Sequence, residues 1–200
     1  MIIGITGGTG CGKTTALEAI RSLGGTVIDC DAVYHCLLQT DKALLDAVEH
    51  RFPGTVENGV LQRKRLGTIV FADEAALADL NAITHSAILR EVQRLLQPAP
   101  ALAAIDAIAL IESGLDRLCD ITVAVTAPEE VRIARLMARD GITHEYAAAR
   151  IAAQKPQSWY AQQCRFTLEN DSTQEHFRNK CLAFFSGLDI MIEKTEGDWI

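Results

Sequence analysis

The sequence predicts an α/β fold in which a parallel central sheet is covered by helices on both faces. Three observations carry that expectation. The stretch GITGGTGCGKTT, residues 4 to 15, sets five glycines and a lysine between a β-type run and a helix-type run. Short apolar runs then alternate with segments of helical periodicity, the pattern of parallel strands joined by helical crossovers. From about residue 33 to 97 the periodicity is helical with no clear central strand, which reads as an insertion between the second and third strands. With 200 residues, 48% of them hydrophobic, the chain suits one domain (1–200) with a sizeable core.

The elements follow in order. Ile2 to Thr6 form the first strand, and Ala16, Leu17, Ala19, Ile20 and Leu23 recur at helical spacing until Gly24-Gly25 stops the helix. Thr26, Val27 and Ile28 make a second strand ending at Asp29-Cys30-Asp31. Asp41 caps a helix carrying Leu44, Leu45 and Val48, and FPGTVENG (52–59) is a turn-rich break. Asp73 caps a longer helix through Leu77, Leu80, Ile83, Ile88, Val92 and Leu95, ending near Pro98. Strands return with Leu102 to Leu110 and Ile121 to Val125, and a helix lies between Pro128 and Arg139. A second helix runs from about Thr143 to Gln154, and Phe166 to Glu169 form a last strand. Ser172-Thr173-Gln174-Glu175 is a capping-box pattern opening a final helix with Phe177, Cys181, Phe184, Phe185 and Leu188 on its apolar side. The core is thus expected at 1–32 and 98–200, the helical insertion at 33–97 and a helical lid at 140–165.

Charge and composition narrow the function. A net charge of -7 gives no basic surface for non-specific nucleic-acid binding, so nucleic acid is not an expected partner. No apolar stretch is long enough to span a bilayer and the chain begins directly in a strand, so a cytoplasmic protein with no membrane partner is expected. In a reducing compartment the six scattered cysteines, none in a C-x-x-C pair, read as free thiols.

The chemistry gathers at the carboxyl ends of the strands. Gly7 to Thr14 fit G-x-x-x-x-G-K-[ST], the P-loop pattern, in which backbone amides cradle phosphates at a helix start. Thr9, Gly10, Cys11, Gly12, Lys13 and Thr14 are the expected contacts of a nucleoside triphosphate, ATP by the resemblance described below, Lys13 adding a mobile charge and Thr14 a hydroxyl for Mg²⁺. Phosphoryl transfer also needs a carboxylate to orient and deprotonate the attacking hydroxyl; Asp31 is expected as that base, with Asp29 holding metal-bound water or the acceptor. Glu112, after the third strand, is expected in the same cleft on the acceptor's side, and Asp106 stands where a Walker B carboxylate would. Arg132, Arg135 and Arg139 recur along one helix, with Arg139 at the base of the lid and able to swing onto the γ-phosphate. His85 taken alone reads as an ordinary helix histidine, and His144 and His176 have no partners at metal spacing.

Over nearly its whole length the chain resembles the dephospho-CoA kinase family, P-loop kinases that phosphorylate the ribose 3′-hydroxyl of dephospho-CoA in the last step of coenzyme A synthesis. The resemblance lies in Thr6 to Thr14, Val27 to Asp31, Leu61-Gln62-Arg63, Leu80-Asn81 with His85, Asp106 to Glu112, and Arg139 to Thr143 followed by Arg150, Ile151 and Gln154. It implies a P-loop NTPase three-layer fold, an acceptor-binding role for the insertion, Asp31 as base, and His85 and Arg63 as residues that hold the acceptor. Ser86 and Ile108 replace prolines of the family pattern, and Cys164-Arg165 stand where it has Ala-Asp. Two other readings stay open: a P-loop kinase for a nucleoside, nucleotide or sugar, and a nucleotide-binding regulator that has lost its chemistry.

Overall fold

The computed structural model describes residues 1–188, so the end of the expected core, 189–200, lies outside the described residues. The strands in chain order are β1 Ile2–Thr6, β2 Thr26–Asp29, β3 Val56–Glu57, β4 Val60–Leu61, β5 Ala103–Asp106, β6 Ile121–Thr126 and β7 Phe166–Glu169. The helices are α1 Lys13–Ser22, α2 Cys30–Thr40, α3 Lys42–Arg51, α4 Arg63–Val70, α5 Glu74–Leu95, α6 Glu129–Asp140, α7 His144–Ala152, α8 Gln157–Gln163 and α9 Gln174–Ser186. Five strands form a parallel sheet in the order β2-β5-β1-β6-β7.

Each face of the sheet has its own core because alternate strand residues point to opposite sides. Ala103 and Ile105 join the core beneath α2 to α5, whereas Ala104 between them joins Ile3, Ile5 and Val123 beneath α1 and α9. Helix α1 buries Ala16, Leu17, Ala19 and Ile20, and α9 meets it with Phe177, Cys181 and Phe185. The order of strands places β1 between β5 and β6. The loops leaving β1, β2, β5 and β6 therefore open on the same edge, where ligands of open parallel sheets bind.

Between β2 and β5 the chain is helical apart from a two-stranded hairpin, β3 with β4, which the apolar pattern did not suggest. Its turn is Asn58-Gly59, both with positive φ, a local hairpin signal hidden in FPGTVENG. Glu49 fastens this hairpin to α3 by accepting from the amides of Gly54 and Val56, each at 2.6 Å, and those bonds hold its carboxyl below the usual range. Helix α5 packs over α2, α3 and α4 and runs unbroken past Ser86.

Three local expectations are corrected. The third strand stops at Asp106 instead of reaching Leu110, because the chain turns there and drives Leu110 and Leu115 into the core below the sheet. The second strand ends at Asp29 and does not run on through Asp31, since α2 starts at Cys30 with Asp29 as its cap. The last helix is capped by Thr173, not Ser172; its hydroxyl accepts from the His176 amide, so the Ser172–Glu175 pair does not form the box. Among the described residues no helix is long and apolar enough to cross a membrane.

Asp73 caps α5 by accepting from the amides of Ala75 (2.8 Å) and Ala76 (3.3 Å). Asp73→Ala should lower stability by about 1 kcal/mol, the usual loss for an N-cap. Urea unfolding would measure this; an unchanged midpoint would mean that packing alone holds the start of α5.

Candidate active site

The site is built on the loop between β1 and α1. Thr6 at the end of β1 is fully buried, its hydroxyl donating to the Ile108 carbonyl at 3.0 Å, and this seats the loop against the chain leaving β5. From Thr9 to Cys11 every carbonyl is held by a side chain from behind. The Thr9 carbonyl accepts from Arg132 Nε (2.8 Å), the Gly10 carbonyl from Arg135 Nη1 (3.3 Å), and the Cys11 carbonyl from Asn170 Nδ2 (3.0 Å) and Arg135 Nη1 (3.4 Å). The Thr9 amide donates to Gln154 Oε1 at 2.8 Å. Thr15 donates its amide to the Gly12 carbonyl at 3.1 Å, whereas the Lys13 and Thr14 amides have no partner among the described residues and point to a ligand position at the positive end of the helix dipole.

These contacts explain the glycines as firmly as phosphate does. A Cβ on Gly8 would stand 2.4 Å from Arg132 Nη2, and one on Gly12, whose φ is +98°, would stand 2.2 Å from Asn170 Nδ2. Either atom would push away a group that shapes the loop. Lys13 Nζ lies across the loop mouth, donating to the Gly7 carbonyl at 2.8 Å. Thr14 is exposed toward the cleft, whereas Cys11 is buried in the core, and burial pushes its thiol above the ordinary value.

Facing the loop is an acidic floor. Asp29 Oδ1 accepts from the amides of Asp31 (2.9 Å) and Ala32 (3.0 Å), so Asp29 is occupied as a cap while Asp31, in the first turn of α2, presents an exposed carboxylate to the cleft. Asp106 ends β5 in register with Ile5 on one side and Asp29 on the other. Its Oδ1 is buried with no hydrogen-bond partner among the described residues. Burial pushes the Asp106 carboxyl up to about 6; Lys13 opposes the shift, and Asp29 and Asp31 add to it.

The cleft between loop and floor is about 960 Å³ and is walled on its far side by Arg135, Arg139 and Arg150. Arg139 does line it, but its Nε and Nη2 are paired with Asp140 at 2.7 and 2.9 Å, and Asp140 also accepts from Arg150 at 2.6 Å. The Arg139 bond first and the Arg150 bond second hold the Asp140 carboxyl at about 2. Beside the cleft lies a second cavity of about 240 Å³ under α2 and α5, with Tyr34, Asn81, Thr84 and His85 among its walls. The two cavities share Asp31, Ala107 and Ile108.

The other expected residues are placed less centrally. His85 faces the second cavity, and partial burial pushes its pKa down against the charge of Glu112. Arg63 opens α4 outside both cavities, with Nη2 3.3 Å from His35 Nδ1. Glu112 is exposed in the turn after β5 and lines neither cavity, since the strand that would have carried it to the edge ends at Asp106. Sequence reasoning did not find Asn170, nor the contact Arg132 makes. Asn170 does follow a strand directly, the same signal that marked Asp29 and Asp106, and it is buried against the loop. Arg132 is 3% exposed where a charged helix face was expected, and burial lowers its pKa against the opposing influence of Cys11, Glu129 and Tyr160.

A phosphate loop, an acidic floor and an arginine wall at the carboxyl edge of a parallel sheet define a P-loop phosphotransferase. The sequence profile of dephospho-CoA kinase matches residues 1–176. The chain belongs to the dephospho-CoA kinase family. It is 38% identical over 185 residues to the dephospho-CoA kinase of Anaeromyxobacter dehalogenans, covering 90% of this chain and 88% of that one. It is 33% identical over 194 residues to that of Syntrophotalea carbinolica, covering 94% and 92%. Among crystal structures, a Thermus thermophilus protein superposes with a TM-score of 0.77 at 32% identity, covering 94% of this chain and 97% of that one. Dephospho-CoA kinase from Campylobacter jejuni follows at 0.64 and 26%, covering 94% and 96%. Shikimate kinase from Acinetobacter baumannii, at 0.56 and 17% with 95% and 93% covered, shares the fold.

The half-buried Asp106 gives a stability test with a defined sign. Its carboxyl binds a proton more tightly in the folded chain, at about 6, than at the ordinary value of 3.8, so folding loses stability as pH rises through about 6 and is unaffected below the unfolded value. In nucleotide-free protein, Asp106→Asn should therefore unfold at a higher temperature than the parent near neutral pH, with the gap closing toward about pH 4. Melting curves across this range decide it, and equal midpoints near neutral pH would contradict the assigned burial cost.

Proposed function

We propose that this protein transfers the γ-phosphoryl group of ATP to the ribose 3′-hydroxyl of dephospho-CoA, releasing ADP and coenzyme A as a cytoplasmic small-molecule kinase. The supporting observation is the meeting of two cavities at Asp31: one is lined by the phosphate loop, the other lies under the helices between β2 and β5. An acceptor seated in the second would bring its hydroxyl to the carboxylate bordering the first.

In this reading the amides at the start of α1 hold the phosphates, and Lys13 and the arginine wall offset charge spreading over the transferred group. Asp31 orients the hydroxyl and takes its proton as the new O–P bond forms and the bond from the γ-phosphorus to the β–γ bridging oxygen breaks. Asp29 fixes Asp31 by capping α2 and borders the same cleft. His85 and, from the rim, Arg63 hold the acceptor, while Glu112 acts on it only through the field at His85.

Magnesium fits the residues present. The orphaned buried Oδ1 of Asp106 and the cleft-facing hydroxyl of Thr14 are hard oxygen donors on either side of the phosphate position, suited to an ion that takes its other ligands from phosphate and water. When bound, Mg²⁺ neutralises charge on the β- and γ-phosphates.

The mobile lid is smaller than the 140–165 segment. Helix α8 is fastened to the sheet edge, because Gln157 Oε1 accepts from the Ala127 amide at 2.6 Å and Tyr160 is 2% exposed. Helix α7 packs against α6 through a small core of its own, Ile133, Leu136, Ala147 and Ile151, between Gly141 at one end and Gln154 at the other. We assign the closing motion to α7, with Arg139 and Arg150 released from Asp140 toward the phosphates.

Incubation with ATP, Mg²⁺ and a panel of acceptors should phosphorylate dephospho-CoA at the 3′-hydroxyl; efficient use of a nucleoside, nucleotide or sugar with dephospho-CoA inert would overturn the reading. Asp31→Asn should slow the chemical step by roughly 10²- to 10⁴-fold with ATP still bound. Single-turnover kinetics would show this, and an unchanged chemical step would place the base elsewhere. Lys13→Ala should cut turnover by orders of magnitude in a folded protein, since its interaction strengthens as charge moves to the transferred group; near-normal turnover would refute its role.

A further inference from the structure

Arg132 lies behind the phosphate loop and outside the cleft, packed against Gly8. Its Nε donates to the Thr9 carbonyl at 2.8 Å and its Nη2 to Gln154 Oε1 at 3.4 Å. The same Gln154 oxygen accepts from the Thr9 amide at 2.8 Å, so loop, α6 and the end of the α7 segment meet at one neutral acceptor. Arg139 and Arg150 share Asp140, but among the described residues no carboxylate lies within ion-pair distance of Arg132. Glu129, one turn earlier on α6, is exposed and acts on it only from a distance.

A guanidinium buried without a counterion is unfavourable unless another charge compensates it. If the loop needed no more than a donor to its Thr9 carbonyl, a neutral amide at position 132 would serve with less desolvation. We propose that Arg132 is a positioning residue that supplies a fixed positive charge beneath the phosphate loop, and that Gln154 holds it there as a neutral acceptor so that the charge stays available to the polyphosphate. This rests on the reading of the loop as a nucleotide-phosphate site. The identity of residue 154 then tunes affinity: an amide holds the loop and leaves the charge, whereas a carboxylate would hold the loop equally well and cancel it. Hydrogen bonding and charge, which usually change together, are separable here.

Gln154→Glu is the deciding variant. Its carboxylate keeps both acceptor bonds and strengthens the one from Arg132, so nucleotide-free protein should melt at or above the parent temperature. ATP binding, measured by calorimetric titration without acceptor, should nevertheless weaken about tenfold at low salt, and the parent's affinity should fall more steeply with added salt than the variant's. Purely structural roles for both residues predict unchanged or tighter binding in Gln154→Glu. Arg132→Lys and Arg132→Gln supply a second comparison should Gln154→Glu fold poorly: lysine, which keeps the charge, should bind ATP better than glutamine, which keeps a donor. A folded Gln154→Glu with the parent's affinity, or equal affinities for Arg132→Lys and Arg132→Gln, would overturn the proposal. A parent that fails to bind ATP would instead overturn the nucleotide reading on which it stands.

Discussion

A phosphate loop can present its amides to a ligand only if its carbonyls are satisfied on the other side, and the rest of this structure is arranged around that requirement. Three successive carbonyls, from Thr9 to Cys11, are held by Arg132, Arg135 and Asn170. These side chains reach the loop because β6 lies beside β1 and β7 beside β6, so the helix that follows β6 and the residue that follows β7 both start next to it. Strand order is thus part of the site's chemistry. The glycines at 8 and 12 are the imprint of that close packing as well as of the ligand.

The same economy of position separates the carboxylates. Because α2 begins at once after β2, Asp29 is committed to the helix start, while Asp31, two residues on, is left exposed with no capping bond to make. Asp106 is different again. It is carried by an interior strand, so its backbone is fixed on both sides, and its Oδ1 is buried at the edge of the cleft. An oxygen without a partner there is unfavourable, a penalty that the magnesium site proposed above would relieve.

What could be read from the sequence was what local chemistry determines. The strand, glycine loop and helix from Ile2 to Ser22 are encoded by adjacent residues, and the caps Asp41 and Asp73 sit where single aspartates precede periodic apolar runs. Where two solutions share one pattern, the sequence was ambiguous. An apolar run through Leu110 suits a long strand or a short strand with a buried turn, and packing against the lower core selects the latter. Two aspartates around Cys30 suit a turn or a helix start, and only the closing of α2 over the sheet chooses. Helical spacing put three arginines on one helix but could not tell that Arg132 faces a loop more than a hundred residues earlier, since burial of a charge depends on what lies opposite it. Glu112 was misplaced for the related reason that its position was counted from a strand end four residues too late.

The sheet's outer strands carry a further meaning. Both β2 and β7 are four residues long, and each has two exposed polar residues, Thr26 and Asp29 on one and Thr167 and Glu169 on the other. An open sheet edge is a template on which another chain can add a strand, and shortness and charge are the usual protections against it. A parallel sheet assembles late, from segments distant in sequence, and leaves such edges bare while the chain folds. Borders this brief and polar offer an added strand few places to pair, a property independent of the reaction the finished site performs.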